Sequence, residues 1–341
     1  MLTRHWKSLL GFVLSGALLW WTLRDVALDH LWQVVRSASL PLLAACTLVA
    51  TAIVPIRARK WLPILEPVVG PVPLGPLWRG TAIGVMMNNV VPLRAGEFAR
   101  AFALSREVPR VALTTALGSL AVDRIFDALV VFAMMFAALL DPRFPSNVDI
   151  AGRTLGELAT GGVGLVIGAL VACYVVVLQP QRIVGLVRLI ARRFAPRYQD
   201  PLVGFVELGV GSLAVLTDTR RFMAVLLWTV LHWGTHALAL YLGFLAIGID
   251  APLSAAFFLQ GVLAIGVAVP SSPGFFGVFE VAATVGLSVY GVPKDLAVSW
   301  ALSYHLLSFI PITVIGAVYF ARLGLSVDSV RGAQRAPTSS S

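Results

Sequence analysis

The stretch Asn88–Phe98 constrains the fold most, because it places a proline, a glycine and two charges inside a strongly apolar chain. Arg94 and Glu97 would each cost about 2.5–3.5 kcal/mol at the centre of a bilayer if they faced lipid. Pro92 removes a backbone donor, and Gly96 relaxes the local dihedral angles. A broken backbone at membrane depth is tolerated only where protein or a water-filled cavity satisfies it. The stretch therefore predicts the turn of a re-entrant element that lines a polar site.

The overall composition excludes an ordinary soluble domain. The 341 residues are 58% hydrophobic and only 13% charged, with a mean hydropathy of +0.86, which is typical of a polytopic membrane protein. Cys46 and Cys173 both fall in apolar segments and are interpreted as small packing residues rather than a disulfide framework. The net charge of +9 is attributed to membrane orientation, and no nucleic-acid partner is expected.

A second stretch, residues 269–277, resembles the first. Aligning the two at their prolines makes four identical pairs coincide: Val91 with Val269, Pro92 with Pro270, Gly96 with Gly274, and Phe98 with Phe276. Pro273 and Gly277 add further breaks to the second stretch, so the same kind of hairpin turn is predicted there.

The apolar runs predict an all-α membrane protein with about six full transmembrane helices and two re-entrant helical hairpins. The predicted spans are 9–23, 40–56, 111–140, 161–178, 222–247 and 296–320, and the predicted hairpins are 77–105 and 252–290. The proline- and glycine-rich stretch 63–76 is predicted to be non-helical. The arginine-rich stretch 181–200 predicts an amphipathic segment on the cytoplasmic surface, with a solvated basic loop as the alternative.

The basic clusters predict that both termini are cytoplasmic, since one topology then places every cluster inside. Those clusters are 4–7, 57–60, 106–110, 182–197, 220–221 and 322–335. In this topology the units of about 40–140 and 222–320 are inverted repeats, a pattern that favours alternating-access transport. The alternative is a pair of packing units without a transport role. Residues 1–325 are predicted to be a single integral membrane domain, followed by a disordered tail over 326–341.

Charged residues near the breaks are the candidate site. Arg94 is interpreted as a grip for a phosphate or carboxylate, or else as a strut for Glu97. Asp123 and Asp127 share a helical face beside Arg124, which favours a buried charge network over direct substrate contact.

The other polar candidates are two glutamates and two histidines, and the sequence does not decide between binding and structural roles for the glutamates. Glu97 and Glu280 would bind a cationic group or a coupling proton, or else pair the hairpins. His232 and His236 share a face and are interpreted as a polar seam, because two histidines without acidic ligands do not predict a metal site. No metal triad, serine motif or nucleotide loop is found, so the sequence predicts no cofactor and no enzymatic activity.

Three motifs together resemble a known membrane family. They are Pro92-Leu93-Arg94-Ala95-Gly96-Glu97 with Arg100, Val122-Asp123-Arg124 with Asp127, and Pro270-Ser271-Ser272-Pro273-Gly274 with Gly277, Phe279 and Glu280. The chain resembles the transmembrane region named for lysylphosphatidylglycerol synthase, as a stand-alone member lacking the soluble aminoacyl transferase domain. Two departures stand out: Phe275 replaces a glycine common in the family, and His305 after Tyr304 replaces an arginine, which would make charge in the last span pH dependent.

The resemblance implies a multi-pass protein of the bacterial inner membrane that moves an anionic lipid or a lipid-linked headgroup between leaflets. The implied partners are membrane lipids, either anionic phospholipid or polyprenyl-phosphate-linked lipid, and a homo-oligomer is left open. Two alternatives remain, a membrane-embedded enzyme acting on lipid-linked substrates and a non-transporting scaffold. The candidate substrate-binding residues are Arg94, Glu97, Arg100, Asp123, Arg124, Asp127, Glu280, Tyr304 and His305.

Overall fold

The computed structural model describes most of the chain as α-helix. The described residues are 6–24, 28–91, 95–145, 179–194, 218–268 and 271–335, together with short stretches between 161 and 207. Every long element in these ranges is a helix, and none of them contains a β-strand. The predicted all-α class is therefore confirmed.

Twelve helices are numbered along these ranges. They are α1 (Trp6–Leu23), α2 (Leu28–Ser37), α3 (Leu40–Val69), α4 (Leu74–Val90), α5 (Gly96–Glu107), α6 (Leu113–Ala138), α7 (Pro180–Phe194), α8 (Thr219–Ile247), α9 (Leu253–Gly266), α10 (Val278–Ser288), α11 (Lys294–Arg322) and α12 (Val327–Arg335). A short 3-10 turn at Pro273–Phe275 precedes α10.

Three of these helices, α3, α8 and α11, are long and apolar enough to cross a membrane. Shorter apolar helices occupy Leu253–Gly266 and Pro273–Ser288, where the second hairpin is predicted. These features confirm a polytopic membrane protein. The number of six full spans and the re-entrant course of the hairpins stay predictions, and much of the predicted span 161–178 lies outside the described residues.

Helices α4 and α5 form an antiparallel hairpin that depends on glycine. A Cβ atom added at Gly84 would lie only 2.8 Å from the backbone oxygen of Gly96 and 2.8 Å from Cβ of Arg100. The turn between the helices is held by Asn88, whose Oδ1 accepts a hydrogen bond from the Gly96 amide at 2.8 Å. The small residues thus let α5 approach closely enough to carry its charged side chains to the neighbouring helices.

The prediction that 63–76 is non-helical is wrong except for residues 70–73, because α3 ends at Val69 and α4 begins at Leu74. Helix α3 continues to Val69 and contains Pro55, Pro63 and Pro67. A membrane helix accommodates proline because surrounding helices and polar side chains can compensate the lost backbone hydrogen bond. The chain leaves the helix only at Gly70, whose φ of 79° suits glycine.

The predicted disorder of the tail is also wrong in part, since Val327–Arg335 form helix α12. Val330 is buried against a cluster that includes Met87 and Ala103 of the first hairpin. This apolar contact stabilises a short helix that its polar composition alone does not predict.

The helix contacts repeat in a two-fold pattern. The first helix of each hairpin packs against the last helix of the other unit: α4 against α11, and α9 against α6. Helices α3 and α8, which begin the two units, form the most extensive contact of all. If each helix of α3–α6 is matched in order with a helix of α8–α11, every contact named above has a counterpart in the other unit. Two related repeats are expected to show this correspondence. The inverted orientation of the repeats stays a prediction.

A polar corner joins the end of α6 to the start of α9. Ser254 Oγ donates a hydrogen bond to Asp141 Oδ2 at 2.6 Å, and the Arg143 amide donates to Asp141 Oδ1 at 2.8 Å. These two hydrogen bonds favour the charged carboxylate and lower the pKa of Asp141. The second hairpin is thereby anchored to the last helix of the first unit.

The close approach of Gly84 to α5 gives a direct test of the hairpin. We expect Gly84→Ala to lower the free energy of unfolding by about 1–3 kcal/mol, because the new methyl group would lie too close to the Gly96 backbone and to Cβ of Arg100. Gly234→Ala is the matched control, since Gly234 lies in α8 with nothing within 4 Å of an added Cβ. Unfolding in mixed micelles measures both, and equal effects of the two substitutions would contradict this packing.

Candidate functional site

Lys60 lies at the centre of a buried charge network. Its Nζ is 2.7 Å from Asp123 Oδ1 and also donates a hydrogen bond to Asp127 Oδ1. The side chains of Lys60 and Asp123 are fully buried. Asp123 and Asp127 stand one turn apart on α6, so both carboxylates face the same point on α3. Lys60 therefore connects the first long helix of the unit to its last.

Arg100 and Glu97 bring the first hairpin into the network. Arg100 Nη1 lies 3.3 Å from Asp123 Oδ2, and Arg100 Nη2 donates to the backbone oxygen of Arg57 at 3.3 Å. Glu97 Oε1 accepts a hydrogen bond from Arg57 Nη2 at 2.6 Å. Helix α5 is consequently tied to α3 and to α6 by charges rather than by apolar packing alone.

Arg124 occupies the open side of the network. Its Nη2 lies 3.1 Å from Asp127, 3.3 Å from Asp123 and 3.4 Å from Glu97. The Arg124 side chain is 42% exposed and that of Glu97 is 32% exposed, whereas Lys60, Asp123 and Arg100 are buried. A ligand entering the cluster would meet Arg124 and Glu97 first.

Aromatic side chains of α3 and α8 contact the network. The Arg100 guanidinium lies 4.2 Å from the Trp61 ring centroid, and Trp61 Nε1 donates to Ser119 Oγ at 2.8 Å. From α8, Trp233 Nε1 donates to Asp127 Oδ1 at 2.8 Å, while His232 Nδ1 lies 3.7 Å from the same oxygen. The second unit thus contributes an indole donor to the charges of the first.

The charges in this network do not cancel. Its members are four cations and three carboxylates: Arg57, Lys60, Arg100 and Arg124, with Glu97, Asp123 and Asp127. These seven residues are called the charge cluster below. Within the described ranges, the buried Nε groups of Arg57 and Arg100 have no hydrogen-bond acceptor. Carboxylate oxygens of the same cluster, Glu97 Oε2 and Asp127 Oδ2, likewise lack a hydrogen-bond donor among the described residues. The excess of one positive charge is therefore the feature that suits an anion.

A second polar group lies at the second broken turn and has no ion pair with the charge cluster among the described residues. His305 Nδ1 is 2.7 Å from Glu280 Oε1, and His305 Nε2 is 2.8 Å from the Gly274 backbone oxygen. Glu280 Oε2 accepts a hydrogen bond from the Gly277 amide at 2.6 Å. Glu280 and His305, called the Glu280–His305 pair below, therefore hold the turn from both ends.

The backbone of this turn adopts a conformation that favours glycine. Gly274 and Gly277 have φ values of 71° and 84°, and Phe275 between them has a φ of 62°. Phe275 is the one non-glycine residue with positive φ in the described part of the chain. A left-handed conformation costs an ordinary residue roughly 1–2 kcal/mol. The surrounding contacts must hold Phe275 in place against this cost.

The predicted site residues separate into two groups and a remainder. Glu97, Arg100, Asp123, Arg124 and Asp127 meet in the charge cluster, whereas Glu280 and His305 meet at the second turn. Tyr304 is buried, with its ring 5.2 Å from Trp300 and 6.1 Å from Phe279 between centroids. Gly96 begins α5, and Pro273, Gly274 and Gly277 lie in the stretch before α10. Arg94, Pro92 and Pro270 fall outside the described residues.

Sequence reasoning missed two members of the charge cluster. The sequence predicts a basic cytoplasmic cluster at 57–60; in the structure Arg57 and Lys60 lie within α3 and form ion pairs with carboxylates. The positive-inside rule counts basic residues without asking which of them have acidic partners, so it does not predict these ion pairs. The cytoplasmic position of this basic cluster stays a prediction. Two signals pointed to the correct placement: the i, i+3 spacing of Arg57 and Lys60, and the need of Asp123 and Asp127 for a second cation.

An all-α membrane protein with two broken hairpins and a buried charge cluster is the class that this fold and site define. The chain belongs to the family of the lysylphosphatidylglycerol synthase transmembrane region, whose sequence pattern matches residues 8–316. The resemblance seen in the sequence is therefore confirmed. No solved structure matches the chain.

Three relatives extend this comparison, and all come from archaea. A UPF0104 membrane protein of Pyrococcus horikoshii is 24% identical over 91% of this chain and 94% of its own length. A UPF0104 membrane protein of Methanothermobacter thermautotrophicus is 24% identical over 93% of this chain and 92% of its own. The glycosyltransferase AglD of Haloferax volcanii is 23% identical over 84% of this chain but only 49% of its own length.

The similarity to AglD corrects one prediction. The absence of a recognisable catalytic motif predicts a protein without enzymatic activity, but a relative that matches 84% of the chain is named as a glycosyltransferase. That prediction is wrong because transfer to or from a lipid-linked substrate need not use the motifs of soluble hydrolases. The bacterial inner membrane and the cytoplasmic termini stay predictions.

The position of Lys60 between two aspartates predicts a large cost for its removal. We expect Lys60→Met to lower the free energy of unfolding by about 3–5 kcal/mol, because it removes the buried cation that lies nearest to both Asp123 and Asp127. Unfolding in mixed micelles measures the loss. The double substitution Lys60→Met with Asp127→Asn should recover much of it, since the excess charge of the cluster is then restored.

Arg59→Met is the matched control for Lys60→Met. Arg59 is exposed one residue away on α3, with its guanidinium 5.4 Å from the Trp228 ring centroid. Its loss should cost about 1 kcal/mol or less. If Lys60→Met costs no more than Arg59→Met, or if the double substitution recovers nothing, Lys60 does not compensate the two aspartates.

Proposed function

We propose that the charge cluster binds the phosphate of a lipid or lipid-linked substrate, and that the two hairpins carry it between leaflets. Family membership and the relation to AglD support the broader statement that the protein acts on lipids or lipid-linked substrates. The narrower proposal rests on the site. Its ligand would be anionic phospholipid or a polyprenyl-phosphate-linked lipid.

The observation that carries this proposal is the excess positive charge of a cluster that has an exposed arginine, Arg124. Arg57 and Arg100 each retain an unpaired buried Nε donor, and Arg124 is the exposed member of the cluster. Guanidinium groups suit phosphate because their planar donors match its oxygens and they remain charged when desolvated. Arg94 adds a further cation three residues before Glu97 in the sequence.

The arrangement of the helices supports movement rather than static binding. Each hairpin packs against the last helix of the opposite unit, so a shift of one unit would displace the hairpin of the other. Paired broken helices at corresponding positions are the feature expected where a substrate is exposed alternately to the two sides. The acyl or prenyl chains would stay in lipid while the headgroup passes along the cluster.

Lipid retention tests the binding step. We expect native mass spectrometry of gently purified protein to show one anionic lipid class retained selectively. Arg124→Gln and Arg94→Ala should each reduce that retention about tenfold or more, as expected for the loss of a charge-assisted hydrogen bond. Arg124→Lys should retain part of the binding because it keeps the charge.

Arg143→Gln is the control for retention. Arg143 has a 70% exposed side chain and lies outside the charge cluster, so its neutralisation should leave the lipid profile unchanged. All variants are compared at equal thermal stability. An unselective lipid mixture in the parent and in every variant would show that the arginines brace the hairpins, and a scaffold role would then be favoured.

Glycosyl transfer is the second candidate, favoured by the relation to AglD. Two assays on the same proteoliposomes separate the candidates: flipping of a fluorescent lipid selected from the retention experiment, and transfer from a nucleotide sugar to a polyprenyl phosphate. If the protein is a transporter, the parent flips the lipid and forms no glycosyl-transfer product, and Arg124→Gln abolishes the flipping. Product formation that requires Arg124 would instead favour the enzyme.

A further inference from the structure

The Glu280–His305 pair has a hydrogen-bond arrangement that fixes its proton content. The Gly274 carbonyl can only accept, so His305 Nε2, 2.8 Å away, must carry a proton. Neutral imidazole then has no proton left on Nδ1. Yet Nδ1 lies 2.7 Å from Glu280 Oε1, a distance that requires a proton between them. The pair is therefore complete either as imidazolium with carboxylate or as imidazole with carboxylic acid.

We propose that the Glu280–His305 pair is a proton-binding site whose occupancy closes the second broken turn. With the proton bound, the pair is neutral and all three hydrogen bonds around it are made. Without the proton, two lone pairs face each other across Nδ1 and Oε1, and one negative charge remains buried. The ligand is a proton from water, and the inference holds whether or not the charge cluster binds lipid.

The described surroundings of the pair contain no cation in contact with this negative charge. Glu280 is fully buried, and the His305 ring stacks on Phe276 and lies tilted against Phe279, each at a centroid distance of 4.4 Å. No Lys or Arg of the described residues lies within 4.0 Å of Glu280. An unpaired carboxylate in such surroundings is strongly disfavoured.

The helices packed around the pair supply few other titratable groups. From α1, Ser15 contacts the turn, and Lys7 lies two helical turns away in sequence. On α4 the charged residue is Arg79, which pairs with Glu107, and α9 carries none. Tyr304 adjoins His305 on α11 with its ring stacked on Phe279. Helices α2, α3 and α8 also pack against α11, but among the described residues none of their charged or histidine side chains forms an ion pair or hydrogen bond with Glu280 or His305.

Proton release would free the turn because its backbone depends on the pair. Gly277 donates its amide to Glu280, and Gly274 accepts from His305. The strained Phe275 lies between these two glycines. The same turn contacts α1, where Ser15 Oγ accepts from the Ser272 amide at 2.8 Å, and it also packs against α4 of the first hairpin. Protonation is therefore coupled to the contact between the hairpins.

Hydrogen exchange of the turn tests the proposal on the full chain in nanodiscs. Amide exchange over residues 271–280 is measured from pH about 5 to about 9, the usual titration range of histidine, and corrected for the intrinsic pH dependence. We expect exchange to accelerate about tenfold or more as the proton leaves and hydrogen bonds to charged groups are lost. In protein labelled with 15N-histidine, the Nδ1 signal of His305 should change over the same pH range.

Two conservative variants keep the test decisive. Glu280→Gln can donate to His305 Nδ1 and accept from Gly277 without titrating, so its turn should stay protected at every pH. His305→Arg retains a permanent ion pair with Glu280, and it also identifies the His305 signal by its absence. His236→Gln is the control, because it changes a half-buried histidine of α8 and should leave the pH response intact.

Either of two results would overturn the proposal. If neither turn exchange nor the His305 Nδ1 signal changes with pH in the parent, the pair is a fixed structural bond. If Glu280→Gln shows the same pH response as the parent, the response arises elsewhere. These readouts involve no lipid transport, so their failure is distinguishable from failure of the proposed function.

Discussion

The compensation of Lys60 by two aspartates is the interaction on which the rest of the structure depends. A lysine buried at this depth is stable only with anionic partners, and Asp123 and Asp127 supply them from α6. Once these three groups are fixed, α3 and α6 have a defined register. Arg100 of α5 then reaches Asp123, so the same charges also fix the position of the first hairpin.

The two halves of the molecule use the same helix arrangement for different chemistry. The first unit concentrates seven charged groups around its hairpin, with an excess of one positive charge. At the second turn the polar core is a single carboxylate and a single imidazole. The first arrangement suits a multivalent anion, whereas the second suits a proton. A two-fold contact pattern thus supports two unlike sites, which would respond to different ligands while sharing the interface between hairpins.

Much of the fold was predictable because membrane solvation limits the choices. The broken stretches at Gly96 and Gly274 marked both turns, and the spacing of Asp123 and Asp127 marked one helical face. The prolines of α3 misled the prediction, since proline terminates helices in water more reliably than in a protein-lined membrane. Pairs of residues that are distant in sequence are harder to predict: the spacing of Arg57 and Lys60 indicates a polar face on α3, but it does not identify α6 as the helix that this face contacts.

The position of Lys60 also bears on how the chain enters the membrane. Lys60 precedes Asp127 by 67 residues, and Trp233 follows Asp127 by a further 106. During synthesis α3 is therefore complete before its carboxylate partners exist, and a lone lysine opposes insertion by about 2.5–3.5 kcal/mol. Helices α3 to α6 consequently enter the bilayer most favourably as one unit, with α8 completing the polar contacts afterwards. The connectivity of Lys60 therefore favours joint insertion of these helices over insertion of α3 alone.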